Sequence, residues 1–327
     1  MQRFKGSYIE SLSNEDRQHL LMSSIPMLQG FQSKAGNEGR IFYVSEDVIV
    51  KKYFSKLDRP EVLGGAFDKY CQECEEFYLK GYKIPRIYAW TMVSRPDHTG
   101  FDFYLLEERV QGRELFFSDI IKMYEKDYKD HMSQENFNDV VKKPENNPLL
   151  YEKILYSYIH DFIEMNEQIE SMSDLEIERF LEDIYNMFVE CNYAIPDVHA
   201  RNVLFHQGKL NLIDMYLEYD KDVTKIMKVT PAENLMLARM IMLFKYNGDI
   251  KKFKTNDPNL SYINEEIDFN GVLCAEALKK FIRVGKKLGK FSAKKQWWNG
   301  LVARIENVLE KDQTNEIIEL IEPEILL

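Results

Sequence analysis

The stretch AIPDVHARNVLFHQGKLNLIDMY, residues 194–216, carries three oxygen-bearing side chains at a spacing suited to metal-assisted chemistry. Val203-Leu204-Phe205 and Leu210–Ile213 read as short apolar strands flanking Gln207-Gly208, a tight-turn pair. Closing that hairpin sets Asn202, at the start of one strand, beside Asp214, at the end of the other, with Asp197 in the loop just before. Carboxylate and carboxamide oxygens gathered in this way can hold a hard cation such as magnesium. A lone Asp-x4-Asn arises often by chance, so its meaning depends on what stands around it in the chain.

Asp-x4-Asn followed by Ile-Asp after a short hairpin resembles the catalytic and metal loops of the protein-kinase-like superfamily. Within it, DVHARN is similar to the DxHxxN pattern of aminoglycoside, choline and lipopolysaccharide kinases. The resemblance implies ATP and Mg²⁺ (or Mn²⁺) as cofactors. Asp197 would orient or deprotonate an acceptor hydroxyl, while Asn202 and Asp214 would ligate the metal on the nucleotide phosphates. VIVKK resembles the strand whose lysine contacts the phosphates, with Lys51 the better match and Lys52 a rival. Glu73 on the following helix would pair with that lysine, and Glu76 stands one turn on. GNEGRIFY, with Gly36 and Gly39, resembles a reduced phosphate-covering loop. LLEERVQGREL resembles the hinge, where backbone groups of Glu108 and Val110 would meet the adenine edge.

The likeness covers roughly residues 30–245 and has departures. Ile195-Pro196 stand where a histidine and arginine would precede the catalytic aspartate, and no glycine follows Asp214-Met215-Tyr216. Thr230-Pro231-Ala232-Glu233 lies roughly where an APE motif would close an activation segment. These losses count against loop regulation of the protein-kinase kind and leave the phosphoryl-transfer set in place. Ordinary readings exist beside the chemical ones. Lys51 and Glu73 are also plausible as solvated charges, His199 as a loop brace, and Met236, Met240 and Met242 as core.

The elements that must position these residues give an α+β chain, a bilobal protein-kinase-like fold with a small antiparallel-sheet N-lobe and a larger, mostly helical C-lobe. Residues 1–28 read as a polar helical extension and 29–111 as the N-lobe. Within it Ile41–Val44 and Val48–Phe54 alternate as strands, DKYCQECEEFYLKGY is helical and ends near Gly81, and IPRIYAWTMV and FDFYLLEERV are two more strands. Residues 112–270 read as the C-lobe with a helical insertion, in which Leu181, Ile184, Tyr185 and Phe188 form a one-sided stripe. HMSQENFNDVVKKPENNP reads as a polar interruption, and residues 271–327 as a C-terminal helical segment.

Bulk composition narrows the function classes. A 327-residue chain with 45% hydrophobic and 30% charged residues is ordinary for a globular protein. A net charge of -11 makes nucleic acid an unsuitable main partner. No stretch approaches the roughly eighteen apolar residues of a membrane span, and the first residues lack the apolar core of a secretory signal. The expectation is a cytoplasmic protein, delivery to a host cell included. Cys71 and Cys74 form a CxxC on a helix with no second pair or histidine to complete a zinc site.

Against this acidic background, Ala277–Ile305 contains no Asp or Glu and holds Lys279, Lys280, Arg283, Lys286, Lys287, Lys290, Lys294, Lys295 and Arg304. The cluster is expected to bind a polyanion, an inositol phosphate or phosphoinositide headgroup, unless it is a solvated face balancing local acid. Three function classes follow. The first is an atypical kinase acting on protein Ser/Thr hydroxyls, similar to effector kinases that some bacteria deliver into host cells. The second is a small-molecule kinase of the aminoglycoside or choline type, for which Glu218, Asp220 and Asp222 suit a cationic substrate. The third is a nucleotide-binding pseudokinase.

Overall fold

The computed structural model describes residues 4–35, 39–54, 60–95, 100–114, 148–199, 202–217, 232–244, 254, 256, 258–289, 293–294, 305–306, 309, 311–321 and 325–326. It divides into two compact units: residues 1–112, 186–197 and 211–229 form the first, and 113–185, 198–210 and 230–327 the second. The architecture is α+β, a small antiparallel sheet accompanied by a larger helical part.

In the first unit, two helices, α1 (Gly6–Glu10) and α2 (Asn14–Ser24), lead through a 3₁₀ turn into a five-stranded sheet. Its strands are β1 (Ser33–Ala35), β2 (Gly39–Tyr43), β3 (Val48–Phe54), β4 (Ile87–Ser94) and β5 (Phe101–Glu108), in the order β1-β2-β3-β5-β4, antiparallel throughout. Helix α3 (Pro60–Leu79) connects β3 to β4. Period-two alternation gives the sheet two different faces. Val48, Val50, Tyr104 and Leu106 pack with Phe4, Ile9, Leu20, Leu21 and Leu28 of the N-terminal segment. Residues of the opposite parity, among them Lys51, Phe103 and Glu107, face the other way, where Phe67 of α3 meets Phe103 with ring centroids 4.6 Å apart.

The N-terminal layer is pinned at its edge, with the Gly6 amide donating to Asp47 Oδ2 at 2.8 Å and Ser45 Oγ to the Phe4 carbonyl at 2.6 Å. Residues 4–28 therefore form a layer against the sheet of this unit. Helix α3 ends in a Schellman motif. Gly81 sits at φ 90, Tyr82 N–H reaches Phe77 O, Gly81 N–H reaches Tyr78 O, and the Phe77 and Tyr82 rings lie 5.7 Å apart.

The second unit begins at β6 (Arg113–Glu114) and is built mainly on α4 (Pro148–Ser171), α5 (Asp174–Glu190, of which residues to Tyr185 belong here), α6 (Ala232–Phe244), α7 (Ser261–Lys287) and α8 (Lys311–Ile321). Along α5, Leu181, Ile184 and Phe188 of the expected stripe are buried, together with Ile177, Phe180 and Met187, while Tyr185 is half-buried. Met236 and Met240 are core, as expected. Helix α7 packs on α4, where Asn166 Nδ2 donates to Asn270 Oδ1 at 3.0 Å, and on α8. The polar stretch 131–147 lies outside the described residues.

The first unit also holds β7 (Ala194–Pro196) with β10 (Met215–Leu217) antiparallel to it, and the intervening chain forms β8 (Val203–His206) and β9 (Lys209–Leu212). The β8/β9 hairpin turns on Gln207 and Gly208, both at positive φ (50 and 74), the type I′ geometry that suits a two-residue turn. A last pair, β11 (Ala293–Lys294) and β12 (Ile325–Leu326), runs parallel. Among the described residues, no helix is long and apolar enough to cross a membrane.

Candidate active site

Lys51 sits mid-strand on β3 and is 8% exposed. Its Nζ lies 2.9 Å from Glu107 Oε1 and 3.6 Å from Asp214 Oδ1, and donates to the Ile213 carbonyl at 3.0 Å. Two carboxylates and a carbonyl thus surround one ammonium. Burial opposes the charge on Lys51, but the Asp214 and Glu107 carboxylates outweigh it and hold the group above the usual lysine range. Tyr53, two residues along the same strand face, donates its phenol to Asp214 Oδ1 at 3.4 Å. Burial raises that phenol well above its ordinary value, so it stays a donor. The Asp214 side chain is 40% exposed, so a buried cation orients a carboxylate that remains open to an outside partner.

The rival lysine has a different use. Lys52 points to the other sheet face, 2.7 Å from Asp102 and 5.6 Å from the Tyr104 ring centroid.

The expectation that Glu73 pairs with Lys51 needs correcting. Glu73 Oε1 accepts from the Asn192 amide at 2.7 Å, and Oε2 accepts from the Tyr193 and Ala194 amides, both at 2.7 Å. Both oxygens are committed to backbone, and the strand residue Glu107 takes the place beside the lysine. Glu76, the alternative, is exposed. Glu107 escapes a reading of the sequence although a signal exists. It sits two residues beyond Leu105, the register partner of Lys51, in a strand apolar on both faces, where a charge requires a partner.

Burial pushes the Glu107 carboxyl up to about 7, with the Lys51 ammonium pulling back and the Asp214 charge adding to the rise. A carboxyl whose folded value lies above its ordinary 4.5 gives the folded state a proton-linked advantage that is complete below that value. The advantage is lost as pH climbs through about 7, and Lys51 titrates far above this window. Wild-type protein should therefore lose melting temperature relative to Glu107→Gln between pH 5 and 8. A constant difference across that range would show that Glu107 does not titrate there.

Other expected nucleotide contacts fare differently. Gly39 is a strand residue opposite Tyr53, and a Cβ built on it would lie 2.1 Å from the Lys52 carbonyl oxygen. Its lack of a side chain serves close strand pairing, whatever it does for phosphates. Gly36 lies outside the described residues. The Glu108 amide donates to the Arg86 carbonyl at 2.9 Å and its Oε2 accepts the Arg86 amide at 3.1 Å. That N–H is thus committed within the protein and does not serve as an adenine donor. Val110 follows the end of β5 and is half-buried.

Asp197 follows β7 directly and is half-buried. Asn202 belongs to the second unit, where its amide donates to the His199 carbonyl at 2.9 Å and closes the turn into β8. Cys71 and Cys74 are free, buried thiols on α3, both pushed up by burial, as a packing role requires. Glu218, Asp220, Asp222 and the 230–231 dipeptide lie outside the described residues.

The basic cluster finds local uses in the second unit. Lys279 pairs with Glu276 at 2.8 Å and with Glu316. Lys280 donates to the Glu170 carbonyl and, at 2.5 Å, to the Met172 carbonyl, neutralising the C-terminal end of α4. Lys286 does the same at 2.8 Å for the Leu320 carbonyl of α8, and Lys287 pairs with Glu178 at 2.5 Å. Arg283 is exposed. Lys290, Lys295 and Arg304 lie outside the described residues, and Lys294 is described only as a strand position. Four of the expected polyanion ligands are therefore spent on the protein's own acids and helix ends.

No family model and no curated protein matches the chain. Among solved structures, it is similar to WbdD at TM-score 0.31 and 12% identity, covering 73% of this chain and 45% of that one. An aminoglycoside phosphotransferase from Alicyclobacillus acidocaldarius matches at TM-score 0.30 and 12% identity over 93% of this chain and 96% of its own. The streptomycin-ATP-APH(2")-IIa ternary complex matches at TM-score 0.24 and 14% identity over 85% and 92%. The chain spans less than half the length of WbdD, and likenesses this loose decide neither fold nor function.

Proposed function

We propose that the chain is an ATP- and Mg²⁺-dependent phosphotransferase with a hydroxyl acceptor, and that its nucleotide lysine is Lys51. The observation that carries this reading is the buried ammonium held 3.6 Å from the half-exposed carboxylate of Asp214. Burying a lysine costs several kcal/mol unless it is paired, and here the pairing aims it at the one carboxylate of the cluster that remains open to solvent. Asp214 and Asn202 offer only hard oxygen donors, which suit magnesium and not a soft metal. They would hold the ion, which when bound neutralises charge on the phosphoryl oxygens. Lys51 places the nucleotide phosphates. Asp197, on the exit from β7, orients the acceptor hydroxyl and takes its proton.

The acceptor in this proposal is a protein Ser/Thr hydroxyl. A small-molecule acceptor is the second reading, favoured by the DVHARN loop with its similarity to aminoglycoside and choline kinases. A pseudokinase is disfavoured because Lys51, Asp197, Asn202 and Asp214 are all present. Polyanion regulation is not part of the proposal, since Lys279, Lys280, Lys286 and Lys287 already have acceptors. The test is incubation of the purified chain with γ-³²P-labelled ATP and Mg²⁺, first with a protein mixture and then with amino-alcohols and aminoglycosides. Label in protein supports the first reading and label in small molecules the second. Absence of transfer to any acceptor, water included, overturns both.

A further inference from the structure

Helix α3 presents Tyr70 and Glu73 one turn apart, and each grips the backbone of a different strand. Glu73 is 9% exposed, and its carboxylate collects three successive amides, those of Asn192, Tyr193 and Ala194, each at 2.7 Å. That tripeptide enters β7, and β7 delivers Asp197 directly. Tyr70 donates its phenol to the Met215 carbonyl at 3.0 Å, in the residue directly after Asp214. The two gripped strands pair with each other, Met215 opposite Pro196 and Leu217 opposite Ala194. A carboxylate with three amide donors is a charge-assisted arrangement stronger than neutral hydrogen bonds, and it fixes three backbone units at once.

We propose that Glu73 and Tyr70 are positioning residues: together they set the β7/β10 pair, and through it the placement of Asp197 and Asp214, while Lys51 is held independently by Glu107. This rests on the phosphotransferase reading above. Loss of the Glu73 grip should act on transfer and leave metal-free nucleotide affinity alone, because the lysine keeps its own acid on β5. A glutamate that supported the lysine would do the reverse.

The variants are Glu73→Gln, which keeps shape but replaces one acceptor oxygen by a donor facing amide donors, and Tyr70→Phe, which removes only a hydroxyl. Three quantities are measured on the full chain: kcat for transfer, Kd for a non-hydrolysable ATP analogue, and amide hydrogen exchange at residues 192–194. In Glu73→Gln, kcat should fall on the order of 10²-fold, the usual effect of an ångström-scale misplacement. Analogue Kd, measured without Mg²⁺, should stay within about twofold, because Lys51 keeps Glu107 at 2.9 Å. The three amides should lose protection. Tyr70→Phe should lower kcat less, in the same direction, with exchange at 192–194 unchanged, and it keeps the proposal testable if Glu73→Gln does not fold. Weakened analogue binding with unchanged kcat in either variant would overturn the proposal, placing the residue in support of Lys51. Lost protection with kcat and Kd both unchanged would also overturn it, reducing the contact to fold stability. Wild-type protein without any transfer activity would overturn the phosphotransferase reading itself, whereas active wild type with fully active variants would sink only the positioning role.

Discussion

Asp214→Ala abolishes Mg²⁺-dependent nucleotide turnover, by at least about 10³-fold, while the protein stays folded. The size follows from the several kcal/mol that a correctly held metal supplies to a phosphoryl-transfer transition state, each 1.36 kcal/mol being tenfold in rate. The fold survives because Lys51, deprived of Asp214, keeps the closer Glu107 at 2.9 Å and the Ile213 carbonyl. Near-wild-type turnover by a purified, folded variant removes Asp214 from the metal site. A variant that instead melts far below wild type would make the carboxylate a structural counter-charge for the buried lysine.

Asp197→Ala has a different signature. Nucleotide should bind with near-normal affinity, because in the proposed reaction this carboxylate serves the acceptor, while transfer should fall about 10²–10⁴-fold, the usual contribution of a positioned base. The measurement is analogue affinity beside single-turnover rate. If affinity and rate fall together by equal factors, Asp197 is a metal ligand or a structural residue and the acceptor's base lies elsewhere. The two aspartates flank the same end of one antiparallel pairing, Asp197 just after β7 and Asp214 just before β10, each next to the Pro196–Met215 pair. A change that shifted the whole pair would disable both functions at once, so the distinct signatures also report that the strands stay in place.

What residues alone make legible is local. The β8/β9 hairpin is legible because Gln207-Gly208 is a turn signal between two alternating runs, and both residues adopt the left-handed conformation that such a turn demands. The end of α3 is legible because Gly81 is the one residue there able to take φ 90 without strain. Lys51 can be matched by its strand, but its partner cannot. Which residue of α3 faces β3 depends on helix phase and distance, and Glu73 turns towards the Asn192–Ala194 amides instead. Glu107 is easily passed over because a glutamate beside a second glutamate at a strand end looks like a solvated rim, although it is 4% exposed. The local partners of the basic cluster are illegible for a related reason. Its balancing groups, Glu178, Glu316 and the α4 and α8 carbonyls, lie far along the chain and meet α7 only after folding.

The N-terminal segment has a practical side for anyone dissecting the chain. Its sequence invites truncation near residue 29, since NEDRQHLLMSS is mostly polar and only Leu20 and Leu21 of its apolar residues are buried. Yet those two leucines, with Phe4, Ile9 and Leu28, are what keep Phe42, Val44, Val48, Val50, Tyr104 and Leu106 out of water. Cutting there would bare a contiguous aliphatic and aromatic sheet surface, the kind that drives recombinant fragments into inclusion bodies. Any folded fragment must therefore keep the residues from Phe4 onward, and a solubility tag is better attached ahead of them than in their place.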